Sequence, residues 1–168
     1  MNLQSVFQGL LLVGCALATM ACPSLPRNFE SLPLPAKIAA YEAHFCNHGL
    51  AQQRAEACIS WHGWEAAAVM VEYLAGRRVG LLPKTTAIHI IAQVQDRGCT
   101  LEGTAAERAL EAIVGEEPPE SQEAFFARQA LDSIRNDRFF PDGPDSLKGS
   151  PCEGRPPRPP QYDLQAQQ

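Results

Sequence analysis

Four apolar stripes run down the middle of this chain, each opening on alanine and each spaced i, i+3, i+4, i+7. They are Ala67, Met70, Val71, Leu74; then Ala87, Ile90, Ile91, Val94; then Ala106, Ala109, Leu110, Ile113; then Ala127, Ala130, Leu131, Ile134. That spacing puts four side chains on one side of a helix. A single helix cannot hide such a stripe, so each must be covered by another. The stripes follow at offsets of 20, 19 and 21 residues, which leaves room for one helix and one short connection each. The fold class is therefore all-α, with five to six helices. Apolar residues make up 45% of the chain and aromatics 7%, and an alanine-rich core suits close helix packing better than a sheet sandwich.

Punctuation places the remaining elements. Ala36–His48 reads as a helix with Ile38, Tyr41 and Phe45 on one face and Gly49 as its C-cap. Leu50–Ser60 reads as a second, with Ala51, Ala55, Cys58 and Ile59 on one side. Trp64–Leu74, free of Gly and Pro, reads as the central helix and stops at Gly76. Arg77–Lys84 is a loop containing Pro83. Thr86–Arg97 follows, with Thr85 or Thr86 as N-cap and Gly98 past its end. Thr104 and Glu107 form a capping box that opens the next helix, which Gly115 closes. A last helix ends near Asn136.

Two successive helices span about 40 residues, the scale of HEAT and armadillo units. The stretch Gly63–Asn136 thus resembles a short HEAT-type array of helical hairpins, in spacing and helix character. An irregular bundle of short helices fits the same spacing.

The flanks differ in kind. Residues 1–21 contain no charged side chain and no His, and Val6–Ala21 is nearly all apolar. The run is short for a membrane span and prolines follow it, which is the pattern of a secretory signal peptide. Residues 22–35 hold four prolines without periodicity and read as an extended tether. The folded domain is expected at 36–140, with Phe139 and Phe140 packing back over the last hairpin. Residues 141–168 form a proline-rich tail containing Arg155-Pro-Pro-Arg-Pro-Pro160, a polyproline-type spacer.

At the end of the leader, Leu12-Val13-Gly14-Cys15 resembles the lipobox of bacterial lipoproteins, in which the chain is cut before a Cys that becomes lipidated. Thr19-Met20-Ala21-Cys22 is a second candidate. A cut after Ala16-Leu17-Ala18 would instead give a soluble secreted protein. The resemblance implies an envelope protein, in the periplasm or at the outer membrane, anchored by lipid on Cys15 or Cys22.

The chain has six cysteines. Lipidation at Cys22 leaves an even number for disulfides and lipidation at Cys15 an odd one, so parity favours Cys22 and the motif favours Cys15. Cys46 and Cys58 are one candidate pair, although a tight turn at Gly49 would set Cys46 opposite residues near 52. Cys99 and Cys152 are the other, pinning the tail to the loop after the Thr86–Arg97 helix.

His44, Cys46, His48, Cys58 and His62 form the densest set of metal-type ligands. The i, i+4 spacing of His44/His48 and of Cys58/His62 puts each pair on one helix face, and two antiparallel helices would present an N/S site for Zn or Cu. No Cys-x-x-Cys supports it, and the expected cofactor is none. His89 reads as a boundary residue, Glu65 and Glu72 as solvated, and Asp137, Asp142 and Asp145 as turn residues. The chain carries no Gly-x-Ser-x-Gly, His-Glu-x-x-His or Gly-rich phosphate motif. The net charge of −5 does not suit nucleic acid. The reading is a non-catalytic envelope adaptor that binds another envelope protein through a helical surface. An immunity-type inhibitor of a toxin and a metal-binding protein are the alternatives.

Overall fold

The computed structural model describes residues 25–44, 49–78, 80–136 and 151–152. Among these are six α-helices and no strand: α1 (Leu34–Ala43), α2 (Gly49–Ser60), α3 (Trp64–Leu74), α4 (Lys84–Asp96), α5 (Ala105–Glu116) and α6 (Gln122–Arg135), preceded by a 3-10 turn at Phe29–Ser31. None of the described helices is long and apolar enough to cross a membrane.

The alanine-led stripes are the core. All four members of the α4 and α6 stripes are buried; Leu74 of α3 and Ala109 of α5 are half-buried against the same core. The centre of the fold is α4 rather than α3. Its buried residues, Thr86, Ala87, Ile88, Ile90, Ile91, Val94 and Gln95, reach nearly round the helix, because α2, α3 and α6 all pack on it. Consecutive helices pair as hairpins, α3 with α4 and α5 with α6, while next-but-one helices also pack, α2 on α4, α4 on α6 and α3 on α5. Two layers result: α2, α4 and α6 in one, α3 and α5 in the other.

Side-chain pairs give the directions. Tyr41–Glu56 and Lys37–His62 run α1 antiparallel to α2. Glu56–His89 and Ser60–Gln93 both span 33 residues, so α2 and α4 run parallel.

Several boundaries depart from the sequence expectation. The stretch read as an extended tether is packed from Leu25 onward, with Phe29 only 4% exposed and Leu34 opening α1 two residues early. Pro35 sits in the first turn, where its missing N–H breaks no helical bond. Gly49 starts α2, at φ 56°, instead of capping α1. Ala51 is exposed, and α2 buries Glu56 and Ser60 beside Ala55 and Ile59. Neither Thr85 nor Thr86 caps α4: Pro83 precedes the helix, which begins at Lys84, and Thr86 is buried within it.

The capping box of α5 forms one residue out of register. Thr104 Oγ1 accepts from Ala106 N at 3.2 Å, while Glu107 reaches past the cap to Gly103 N at 2.7 Å. That N–H, then Arg135, hold the Glu107 carboxyl below its usual pKa. Ser121 caps α6 by accepting from Ala124 N at 3.1 Å. Phe139 and Phe140 lie outside the described residues.

The disulfide Cys99–Cys152 joins the end of α4 to the C-terminal region, with a Cα–Cα distance of 5.2 Å. It lies on Gly63, the last of the three residues between α2 and α3. Gly63 has φ 57° and ψ −130°, and a Cβ there would come within 2.9 Å of Cys152 Sγ. Only glycine adopts that backbone freely, and only glycine leaves room for the sulfurs.

Candidate functional site

The parallel layer carries its polar groups in a seam between α2 and α4. Helical periodicity sets Gln93 and Arg97 one and two turns after His89, so these three line one strip of α4. Opposite them on α2 stand Glu56, Ala57 and Ser60.

At one end of the seam, Glu56 is a buried carboxylate, only 3% exposed. Its Oε1 accepts from Tyr41 Oη at 3.0 Å and from Gln52 Nε2 at 2.7 Å. Both hydrogen bonds fall on that one oxygen; Oε2 faces His89 Nδ1 at 4.0 Å, beyond hydrogen-bonding distance. Burial, reinforced by the Glu56 charge, pushes the Tyr41 hydroxyl far above its usual pKa, so it stays a donor. His89 packs edge-on against Phe126 of α6, centroids 4.4 Å apart, and Phe126 in turn meets Phe125 at 5.4 Å. Phe125 is 50% exposed. A continuous row thus crosses three helices: Phe125 and Phe126 on α6, His89 on α4, Glu56 on α2.

At the other end, the Arg97 guanidinium lies over the Trp61 ring at 4.5 Å and donates to Ser60 Oγ at 2.7 Å and to the Ala57 carbonyl at 3.2 Å. Behind it Lys37, 6% exposed, donates to His62 Nε2 at 3.0 Å. Burial first, and then the Lys37 charge, lower the His62 pKa, which keeps that nitrogen an acceptor. On the far side of α1, Tyr73 donates to Glu42 at 2.5 Å, and burial and that bond push its pKa up to about 12.

The cysteine and histidine candidates separate. Cys99 and Cys152 are joined as expected. Cys58 is a free, half-buried thiol, so the Cys46–Cys58 bridge is not formed. The reason is register: the Tyr41–Glu56 and Lys37–His62 pairs set Cys58 level with the body of α1, not with the chain beyond its end. Burial, then the Glu30 charge, raise the Cys58 pKa, which keeps the thiol protonated and a weak nucleophile.

His62 is engaged by Lys37, and His44 ends α1 with Nδ1 buried and without a partner, as is Trp61 Nε1. Among the described residues no three His, Cys, Asp or Glu side chains gather where a metal could sit. Cys46 and His48, and the lipidation candidates Cys15 and Cys22, lie outside the described residues. Of the surface carboxylates, Glu72 lies 3.9 Å from Arg78.

Sequence reasoning passed over Lys37, Glu56, Arg97 and Phe125. One signal was present: Glu56 interrupts the apolar face of α2 between Ala55 and Ile59, where a carboxylate needs a partner.

No protein-family model matches the chain, and neither a curated protein nor a solved structure shows significant similarity to it.

Proposed function

We propose that the protein is an exported, non-catalytic adaptor of the cell envelope, anchored by lipid on Cys15 or Cys22, that binds a partner protein through the face of α2, α4 and α6. The observation that carries this reading is the row Phe125–Phe126–His89–Glu56, which sets a half-exposed Phe125 and a partly buried Phe126 in line with a buried acid on one helical layer. Aromatic side chains with a fixed polar neighbour are the usual anchors of protein interfaces. The packing of next-but-one helices supports the HEAT-like array, an architecture whose stacked helices offer an extended binding surface. The leader and its lipobox-like end support export and anchoring.

The experiment has two arms. Palmitate labelling of the whole protein and of Cys15→Ser and Cys22→Ser variants tests the anchor; label that survives both substitutions rejects it. Cross-linking in intact cells, followed by calorimetry with the purified partner, tests the face. Phe125→Glu is expected to weaken binding at least tenfold, and an unchanged affinity removes this face from the proposal.

A further inference from the structure

We infer that α1 is an acid-released cover: when His62 takes up a proton, α1 lifts from the bundle while α2–α6 stay folded.

The place of α1 makes this possible. The helix pairs that build the two layers join α2 to α6, with α4 at their centre, whereas the main helical neighbour of α1 is α2. Three side-chain hydrogen bonds tie α1 down. Tyr41 donates to Glu56 of α2 at 3.0 Å, Lys37 donates to His62 in the α2–α3 turn at 3.0 Å, and Tyr73 of α3 donates to Glu42 at 2.5 Å.

The Lys37–His62 bond is the one that acid breaks. Lys37 sits with Leu34, Ile38 and Tyr41 on the buried face of α1 and is only 6% exposed. Its ammonium needs a lone pair, and His62 Nε2 offers one only while the ring is neutral. A protonated His62 offers none and stands 3.0 Å from a second cation. The Lys37 stem cannot turn to water while Ile38 and Tyr41 stay in the core, so moving the helix relieves the clash.

Neighbouring charges do not cancel the effect. Glu65, in the first turn of α3, favours the imidazolium, but burial and then Lys37 outweigh it and hold the His62 pKa below its ordinary 6.5. Cys58, one turn earlier on α2, is kept protonated; Glu30 acts on that thiol against Lys37, Arg97 and Arg54. Glu56 is engaged by Tyr41 and Gln52.

The sign is then fixed. With α1 seated, His62 binds its proton weakly; with α1 released, it binds at the ordinary value. Falling pH below 6.5 therefore favours release. Leu34, Ile38 and Tyr41 leave the core, together with the strip of α2 they cover, so a drop in pH becomes exposed apolar surface. The device depends neither on a lipid anchor nor on the α2–α4–α6 face.

Hydrogen exchange of the full chain at pH 7.5 and 5.5, read by mass spectrometry and corrected for intrinsic rates, is the test. Peptides from 34–43 are expected to exchange about fivefold to tenfold faster at the lower pH, as release linked to one proton allows, with α4 and α6 unchanged. His62→Gln keeps an acceptor for Lys37 and does not titrate, so the difference should vanish. Lys37→Met removes the opposing charge and should abolish it as well, which keeps the test open if His62→Gln does not fold. His44→Gln and His89→Gln should leave it intact. Equal acceleration in α1, α4 and α6, no acceleration in α1, an acceleration that survives His62→Gln or Lys37→Met, or one lost in His44→Gln or His89→Gln each overturns the inference.

Discussion

Replacing Gly63 with alanine probes the point where backbone, disulfide and helix packing meet. At φ 57° and ψ −130°, Gly63 occupies a conformation that an L-residue reaches only under strain of about 1–3 kcal/mol. The new Cβ would stand 2.9 Å from Cys152 Sγ and 3.3 Å from Cys99 Sγ. Those sulfurs are tied to each other and buried, so relief requires the backbone to shift, and overpacking of this kind costs about 1–3 kcal/mol. Together the expected loss is about 2–6 kcal/mol, a fall in Tm of about 8–24 °C for a domain of this size.

Urea unfolding of Gly63→Ala in the native and in the Cys99→Ala/Cys152→Ala background separates the two parts. With the sulfurs gone, the steric part should vanish and only the backbone strain remain, giving a coupling of about 1–3 kcal/mol. A loss below about 0.5 kcal/mol in the native background refutes the whole argument. Equal losses in both backgrounds refute the steric half.

Three further expectations follow from the same contacts. Cys99→Ala/Cys152→Ala opens a cross-link across a sequence separation of 53 and should cost about 4 kcal/mol by loop entropy; reduction of the wild type should lower Tm to match, and a Tm indifferent to reductant contradicts this. Tyr41→Phe removes one of two donors to buried Glu56 and should cost about 1–3 kcal/mol in urea unfolding, whereas a cost near zero would mean that water reaches the carboxylate. His62 has its pKa lowered by burial and by Lys37, so below its ordinary value of 6.5 the unfolded chain takes the proton first. Stability should fall as pH drops from that value toward the folded-state pKa, by at most about 1.4 kcal/mol per pH unit, and His62→Gln should flatten that slope; an unchanged slope assigns it elsewhere.

The sequence alone carried the helical class and the core. The four stripes need only a repeat of 3.6 residues within a single helix, so Ala87, Ile90, Ile91 and Val94 could be read as buried without knowing what covers them. The Cys99–Cys152 pair was legible too, because the other cysteines were drawn off by the leader and by the α1–α2 region.

Local signals failed where tertiary contacts overruled them. Thr86 looks like a cap and is buried inside α4, and the prolines before α1 look like a tether while Phe29 finds a place in the core. The row from Glu56 to Phe125 was not legible at all. Glu56, His89 and Phe126 are 33 and 37 residues apart, and nothing in any one helix says which turn of α2 stands beside which turn of α4. That register is set by the packing of whole helices around α4, and so only the folded chain decides which acid meets which ring.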